Sequence, residues 1–168
     1  PVIDLCEKLA EITPGGLSRS YLSTGGSEAN ETAIKIAKAY QKRRGEPGRY
    51  KVISRKGAYH GTTGVTMWLG DNLTEGGLSD FEPAYPGILH AAQPYPYRCE
   101  LGGQTPSECA ERCAQSVEDI ILREGPSSVA AFIGEPVFHR RGAIIPGDEY
   151  WPMVRDICNR YGVLMIVD

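Results

Sequence analysis

Four short stretches of the chain carry residue types that can do chemistry. The first, Thr24-Gly25-Gly26-Ser27-Glu28-Ala29-Asn30-Glu31, is a glycine-rich turn that leads into a run with helical spacing. Gly25 and Gly26 have no Cβ, so the backbone can turn sharply and approach a ligand. A helix start directs unpaired N–H groups and the positive end of the helix dipole outward. With the hydroxyls of Ser23, Thr24 and Ser27 beside them, such groups suit a phosphate. The alternative is an ordinary helix start with Ser27 as its cap and Glu28 and Glu31 offsetting the dipole. No Gly-Lys-Ser/Thr follows, and the Gly-x-Gly-x-x-Gly spacing is absent, so neither a P-loop nor a dinucleotide fingerprint is present. The second stretch, Gly57-Ala58-Tyr59-His60-Gly61, sets an aromatic ring and an imidazole in a loop just after an apolar run. In the third and fourth, a carboxylate closes an apolar run: Glu135 after Val129–Gly134, and Asp168 after Val163–Val167.

The elements that must position these residues follow from apolar periodicity. Helices are expected over residues 2–12, 27–44, 107–124 and 149–161, and strands over 50–54, 129–134 and 163–167. Residues 20–23 and 87–91 suggest two brief strands, with an irregular excursion over 71–87. In the second helix the spacing assigns Ala29, Ala33, Ile36, Ala37 and Tyr40 to the inner face and Lys35, Lys38 and Lys42 to solvent. Residues 107–124 place Cys109, Cys113, Val117, Ile120 and Ile121 on one face; residues 149–161 place Tyr150, Met153, Val154, Ile157 and Cys158. Alternating strands and helices imply an α/β fold, a three-layer αβα arrangement around a mostly parallel sheet. Ligands of such sheets bind beyond the C-terminal strand ends, where Tyr59, His60, Glu135 and Asp168 fall.

The 168 residues are 41% hydrophobic and 23% charged, with a net charge of −3, consistent with one globular unit and against nucleic acid as main partner. No apolar run approaches the roughly 18 residues of a membrane span. Five cysteines are scattered through the chain; Cys109 and Cys113 share a helix face, but the spacings match no zinc motif. The expectation is no metal site, reduced thiols and a cytoplasmic protein. A start on Pro1 and a final buried-strand pattern read as a piece of a longer chain.

Taken together, the four stretches resemble the class III pyridoxal-phosphate-dependent aminotransferases. The matching segments are Thr-Gly-Gly-Ser-Glu-Ala-Asn-Glu-Thr-Ala-Ile-Lys-Ile-Ala, Gly-Ala-Tyr-His-Gly-Thr-Thr, Ala-Ala-Phe-Ile-Gly-Glu-Pro-Val and Tyr-Gly-Val-Leu-Met-Ile-Val-Asp, in order along most of the chain. The resemblance implies a fold type I transferase, with residues 1–168 as the central part of an incomplete large domain. It further implies pyridoxal 5'-phosphate as cofactor, with Gly25, Gly26 and Ser27 at the phosphate and Tyr59 and His60 at the ring. Asp168 would bond the pyridine nitrogen, and Glu135 would stand on the substrate side. There, in many members, the glutamate pairs with a mobile arginine that gates substrate carboxylates.

The implied reaction passes an amino group from an amine or ω-amino acid to a 2-oxo acid, in a homodimer. An aminomutase, a decarboxylase or a non-catalytic binding protein on the same fold is the alternative. In the family the catalytic lysine follows the position of Asp168; the six lysines here all precede Tyr59, so these residues alone are expected to be inactive. His139, Arg140 and Arg141 stand where members commonly carry small residues, which leaves three options open: an altered pocket, an anion site, or a solvent-facing patch.

Overall fold

The computed structural model describes residues 1–70 and 78–168, with the backbone but not the side chain of Arg141. Four strands, β1 (Lys51–Arg55), β2 (Ile88–Ala91), β3 (Val129–Gly134) and β4 (Leu164–Val167), form one sheet in the order β2-β1-β3-β4. Every pairing is parallel, and the register aligns Ser54 with His90, Ile53 with Phe132 and Gly134 with Val167. The helices are α1 (Val2–Ile12), α2 (Gly26–Arg43), α3 (Gly64–Leu69), α4 (Pro106–Glu124), α5 (Arg140–Ala143) and α6 (Tyr150–Tyr161).

Strand alternation sorts the core into two layers. Ile53, Phe132 and Met165 point to the face covered by α4 and α6, where Cys109, Cys113, Val117, Ile121, Tyr150, Val154, Ile157 and Cys158 are packed. Val52, Ala131, Ile133 and Ile166 point to the opposite face, against Ile34 and Ala37 of α2 and Leu69 of α3. β3 is buried at all six positions, as suits an inner strand of a sheet covered on both faces.

Two expectations are corrected. Residues 20–23 form no strand; they run irregularly, with Tyr21 and Leu22 exposed. The inner face of α2 is Asn30, Ile34, Ala37 and Gln41, while Ile36 and Tyr40 are exposed. The helix therefore turns two amides inward, because each finds backbone acceptors there. Asn30 Nδ2 donates to the His60 carbonyl at 2.9 Å, and Gln41 Nε2 donates to the carbonyls of Ala130 at 3.1 Å and Gly162 at 2.9 Å. Helix α1 forms over Val2–Ile12 as expected and has no buried residue. The sequence reading also missed α3, a six-residue helix whose hydrophobic spacing is too short to register. Part of the expected excursion, residues 71–77, lies outside the described residues.

Candidate functional site

The site lies at the C-terminal ends of β1, β3 and β4, where the N-terminus of α2 meets the sheet. α2 starts on an extended Gly25 with no side-chain cap, so Ser27 sits within the first turn and is not the cap. Its Oγ instead accepts the Thr62 N–H at 3.1 Å, which pins the loop after β1 to the helix start. That approach requires Gly61: its φ is +135°, and a Cβ there would stand 2.5 Å from Ser27 Oγ and 2.7 Å from Thr66 Oγ1. A Cβ on Gly25 would meet the Glu28 carboxylate at 2.9 Å, whereas nothing lies within 4 Å of one on Gly26. The open ground before the helix is thus at Gly26, where the first-turn N–H groups have no intrahelical acceptor.

Glu31, one turn further along, reaches the next helix. Its Oε1 accepts from Thr63 Oγ1 at 2.9 Å and from the Val65 N–H at 2.8 Å, so one carboxylate oxygen serves as acceptor for the start of α3. The loop of residues 56–63 is therefore held between two helix N-termini, which fixes Tyr59 and His60.

His60 is buried and fully engaged. Nδ1 lies 2.7 Å from Asp168 Oδ2, and Nε2 lies 3.1 Å from Ser54 Oγ. Burial pushes the Asp168 carboxyl up, but the hydrogen bonds from His60 and Asn30 and the charge of His60 outweigh it, leaving it below the usual carboxylate range. An ionised carboxylate only accepts, so the Asp168 bond requires the proton on His60 Nδ1. Asp168 is itself anchored by its N–H to the Gly134 carbonyl at 3.1 Å, and its side chain stays 30% exposed. The result is an anionic oxygen, steered from behind and open in front.

Glu135 is buried. Oε1 accepts the Tyr59 N–H at 3.1 Å and Oε2 accepts the His139 N–H at 3.0 Å, so the carboxylate joins the loops after β1 and β3. Tyr59 is 38% exposed; the His139 ring packs edge-on at 5.6 Å, and the Arg140 guanidinium lies 5.4 Å from the Tyr59 centroid. Two of the three unusual residues after β3 thus gather around Tyr59, and the Arg141 side chain lies outside the described residues. Ser54 and Asn30 were not singled out from sequence. The available signal was the helical spacing of Asn30 with Ile34 and Ala37, which puts an amide on the buried face.

A half-exposed aromatic ring, a helix start with open N–H groups and an ionised carboxylate at a strand end suit a planar, phosphorylated, nitrogen-containing cofactor on a parallel α/β sheet. Comparison with known proteins gives the same class. The chain belongs to the class-III aminotransferase family, whose sequence pattern it matches over residues 1–168. It is 38% identical over its whole length to the putrescine–pyruvate aminotransferase of Pseudomonas aeruginosa, covering 36% of that protein. It is 40% identical to the diaminobutyrate–2-oxoglutarate transaminase of Halomonas elongata, again covering 36% of it. Among solved structures, an (S)-enantioselective omega-transaminase from Thermomicrobium roseum superposes with a TM-score of 0.91 at 41% identity, over all of this chain and 37% of that one. The PMP-bound form of an aminotransferase from Vibrio fluvialis gives 0.89 at 32% identity, over 99% of this chain and 36% of the other. The architecture is accordingly that of the fold type I pyridoxal-phosphate-dependent transaminases. The chain spans little more than a third of the length of these relatives.

Proposed function

We propose that residues 1–168 are the central part of the cofactor-binding large domain of a transaminase. The protein would transfer an amino group from an amine or ω-amino acid to a 2-oxo acid. One observation carries the reading: the Ser54–His60–Asp168 line, which holds an ionised carboxylate at the end of β4 while Asn30 ties it to α2. The donor set fits pyridoxal 5'-phosphate, with a helix start for the phosphate, an aromatic face for the ring and a carboxylate for the ring nitrogen. Bound there, the cofactor supplies an electron sink that lets a substrate carbon lose a proton.

The chain's own residues prepare for that. The N–H groups at Gly26 and Ser27 bind the phosphate dianion with help from the helix dipole. Ser27 Oγ accepts from Thr62 and keeps its own proton to donate to the phosphate. Gly25 and Gly26 leave the approach free of side chains. Tyr59 offers a ring face for offset stacking. Asp168 accepts the pyridine N–H and holds that proton on the nitrogen, since an opposite charge favours the charged form. His60 acts through Asp168, because both of its ring nitrogens are occupied within the protein; it orients the carboxylate and keeps it ionised. Glu135 fixes the two loops that flank the substrate side.

The six lysines are not candidates for the family's catalytic lysine: they precede Tyr59, and Lys8, Lys51 and Lys56 are paired with Glu11, Glu124 and Glu100. The diamines and amino acids in the names of the relatives support an amine or ω-amino acid donor. The homodimer implied by the family has one support, the exposed apolar residues Val2, Leu5, Ile12, Leu17, Tyr21 and Leu22 of α1 and the segment after it. No helix among the described residues is long and apolar enough to cross a membrane; small-molecule partners and a cytoplasmic site of action belong to the same proposal.

The test is a titration of the protein with pyridoxal 5'-phosphate followed by absorbance. Ser27→Ala should weaken binding about tenfold or more, the loss of one hydrogen bond to a charged group. Asp168→Ala should cost roughly thirtyfold or more, as for truncating one partner of a buried charge pair. Affinity unchanged in both variants would sink the assignment.

A further inference from the structure

Three cysteines converge away from the Asp168 site. Cys109 and Cys113 stand one turn apart on α4, both fully buried, and Cys99 reaches them from the loop between β2 and α4. Their sulfurs all lie within 4.8 Å of one another. Cys spacing alone excluded the familiar zinc motifs because the third thiol comes from a loop that tertiary packing delivers.

The loop is built to hold its sulfur there. The Gly102 N–H closes a turn on the Cys99 carbonyl at 3.0 Å, with Gly102 at φ +74°. Gly103 lies so close to α4 that a Cβ would stand 2.6 Å from the Cys109 nitrogen. Arg112 clamps the same loop from α4, with Nη1 donating to the Leu101 carbonyl at 2.8 Å.

We propose that Cys99, Cys109 and Cys113 form a binding site for a thiophilic d10 metal ion, with Zn2+ as the ion taken. Three sulfur ligands select Zn2+ over hard cations. Tetrahedral coordination at a Zn–S distance of about 2.3 Å sets sulfurs roughly 3.8 Å apart, so at most about 1 Å of closure is needed. Cys99, the half-buried member on a loop, supplies that movement and the entry side. Binding exchanges three S–H bonds for three S–Zn bonds, releases three protons to solvent and leaves the fourth position to water. The ion clips the 99–103 loop to α4.

The reduced, purified protein should be loaded with Co2+, whose tetrahedral thiolate complex absorbs in the visible, clear of a pyridoxal chromophore. The expected result is one Co2+ per chain by elemental mass spectrometry, visible bands that Zn2+ bleaches, and a melting temperature that rises with Zn2+ and falls on chelation. Cys99→Ser, at a partly exposed loop position that preserves the core, should abolish bands and uptake with an unchanged circular dichroism spectrum. Cys158→Ser, a buried thiol elsewhere in the core, should leave the bands of the folded protein in place. Folded wild-type protein that takes up no Co2+, or bands that survive Cys99→Ser, would overturn the site and leave three thiols that only pack. A Cys99 disulfide to Cys109 or Cys113 in protein purified without oxidant would overturn it in favour of a redox pair.

Discussion

Ser54 and Arg55 are neighbours at the end of β1, both fully buried, and they point to opposite faces of the sheet. On the α2 face, Ser54 belongs to a line in which His60 is bonded at both nitrogens and Asp168 remains open to a ligand. On the α4–α6 face, the Arg55 guanidinium donates Nη2 to the Glu135 carbonyl and lies 5.8 Å from the ring of Tyr150 and 5.6 Å from that of Trp151. Its Nε and Nη1, the Tyr150 hydroxyl and Trp151 Nε1 have no hydrogen-bond partner among the described residues. Burial pushes the Tyr150 hydroxyl up to about 12, with Arg55 pulling the other way, so that hydroxyl stays neutral beside the cation. The two sides differ in kind. Polar groups facing α2 are arranged around an anion that can meet a ligand, whereas the cation facing α6 is held by ring faces and a carbonyl. A buried group that is fully paired specifies geometry, while one held mainly by packing is more replaceable by an apolar group of its size.

The comparison predicts unequal responses to substitution. The largest belongs to His60→Ala, which strands Ser54, removes the partner of Asp168 and opens a cavity. A loss of about 3 kcal/mol in urea unfolding is expected, and a loss under about 1 kcal/mol would erase the distinction between the faces. The same variant alters the acid limb. Asp168 has a folded pKa below its model-peptide value of 3.8, so its contribution to stability is complete above that value and is lost as pH falls through the lower, folded one. Without His60 that lowering is relieved, and the loss of stability in acid should flatten relative to wild type.

Next comes Gly61→Ala, expected to cost about 1–3 kcal/mol through a positive φ and the contact with Ser27. It should also weaken cofactor binding, since it pushes the loop away from α2. Calorimetry together with the pyridoxal phosphate titration separates the two effects. The smallest effect is expected from Arg55→Met. Relief from burying a poorly paired cation offsets the carbonyl left behind at Glu135, for a net change within about 1 kcal/mol. A loss of several kcal/mol would mean that the ring faces and carbonyl pair Arg55 as effectively as Asp168 pairs His60.

Much of this molecule was legible from its chain. Continuous apolar runs marked β3 and β4, and every residue assigned to the inner stripes of α4 and α6 is buried except a half-buried Met153, while the fold also buries Ala110 and Ala114 of α4. Ordered motifs marked the carboxylates at the strand ends and the family. Helix α2 shows where that reading fails. Counting apolar residues chose Ile36 and Tyr40 for the core, and the fold instead buries Asn30 and Gln41. An amide reads as polar in sequence, but its burial cost disappears once carbonyls from His60, Ala130 and Gly162 accept its protons. Those acceptors lie 30 to 121 residues away, so no local window contains them.

The sequence by itself therefore determined the elements with long periodic patterns, the parallel α/β class, and the residues brought to the end of the sheet, because these depend on local spacing and composition. Tertiary structure alone decided that His60 bonds Asp168, that Glu135 joins two loops, and that Cys99 completes a trio with Cys109 and Cys113. Each of these is a meeting of side chains or backbone from distant segments, and its energy depends on distances of a few ångströms that only the packed sheet and helices set.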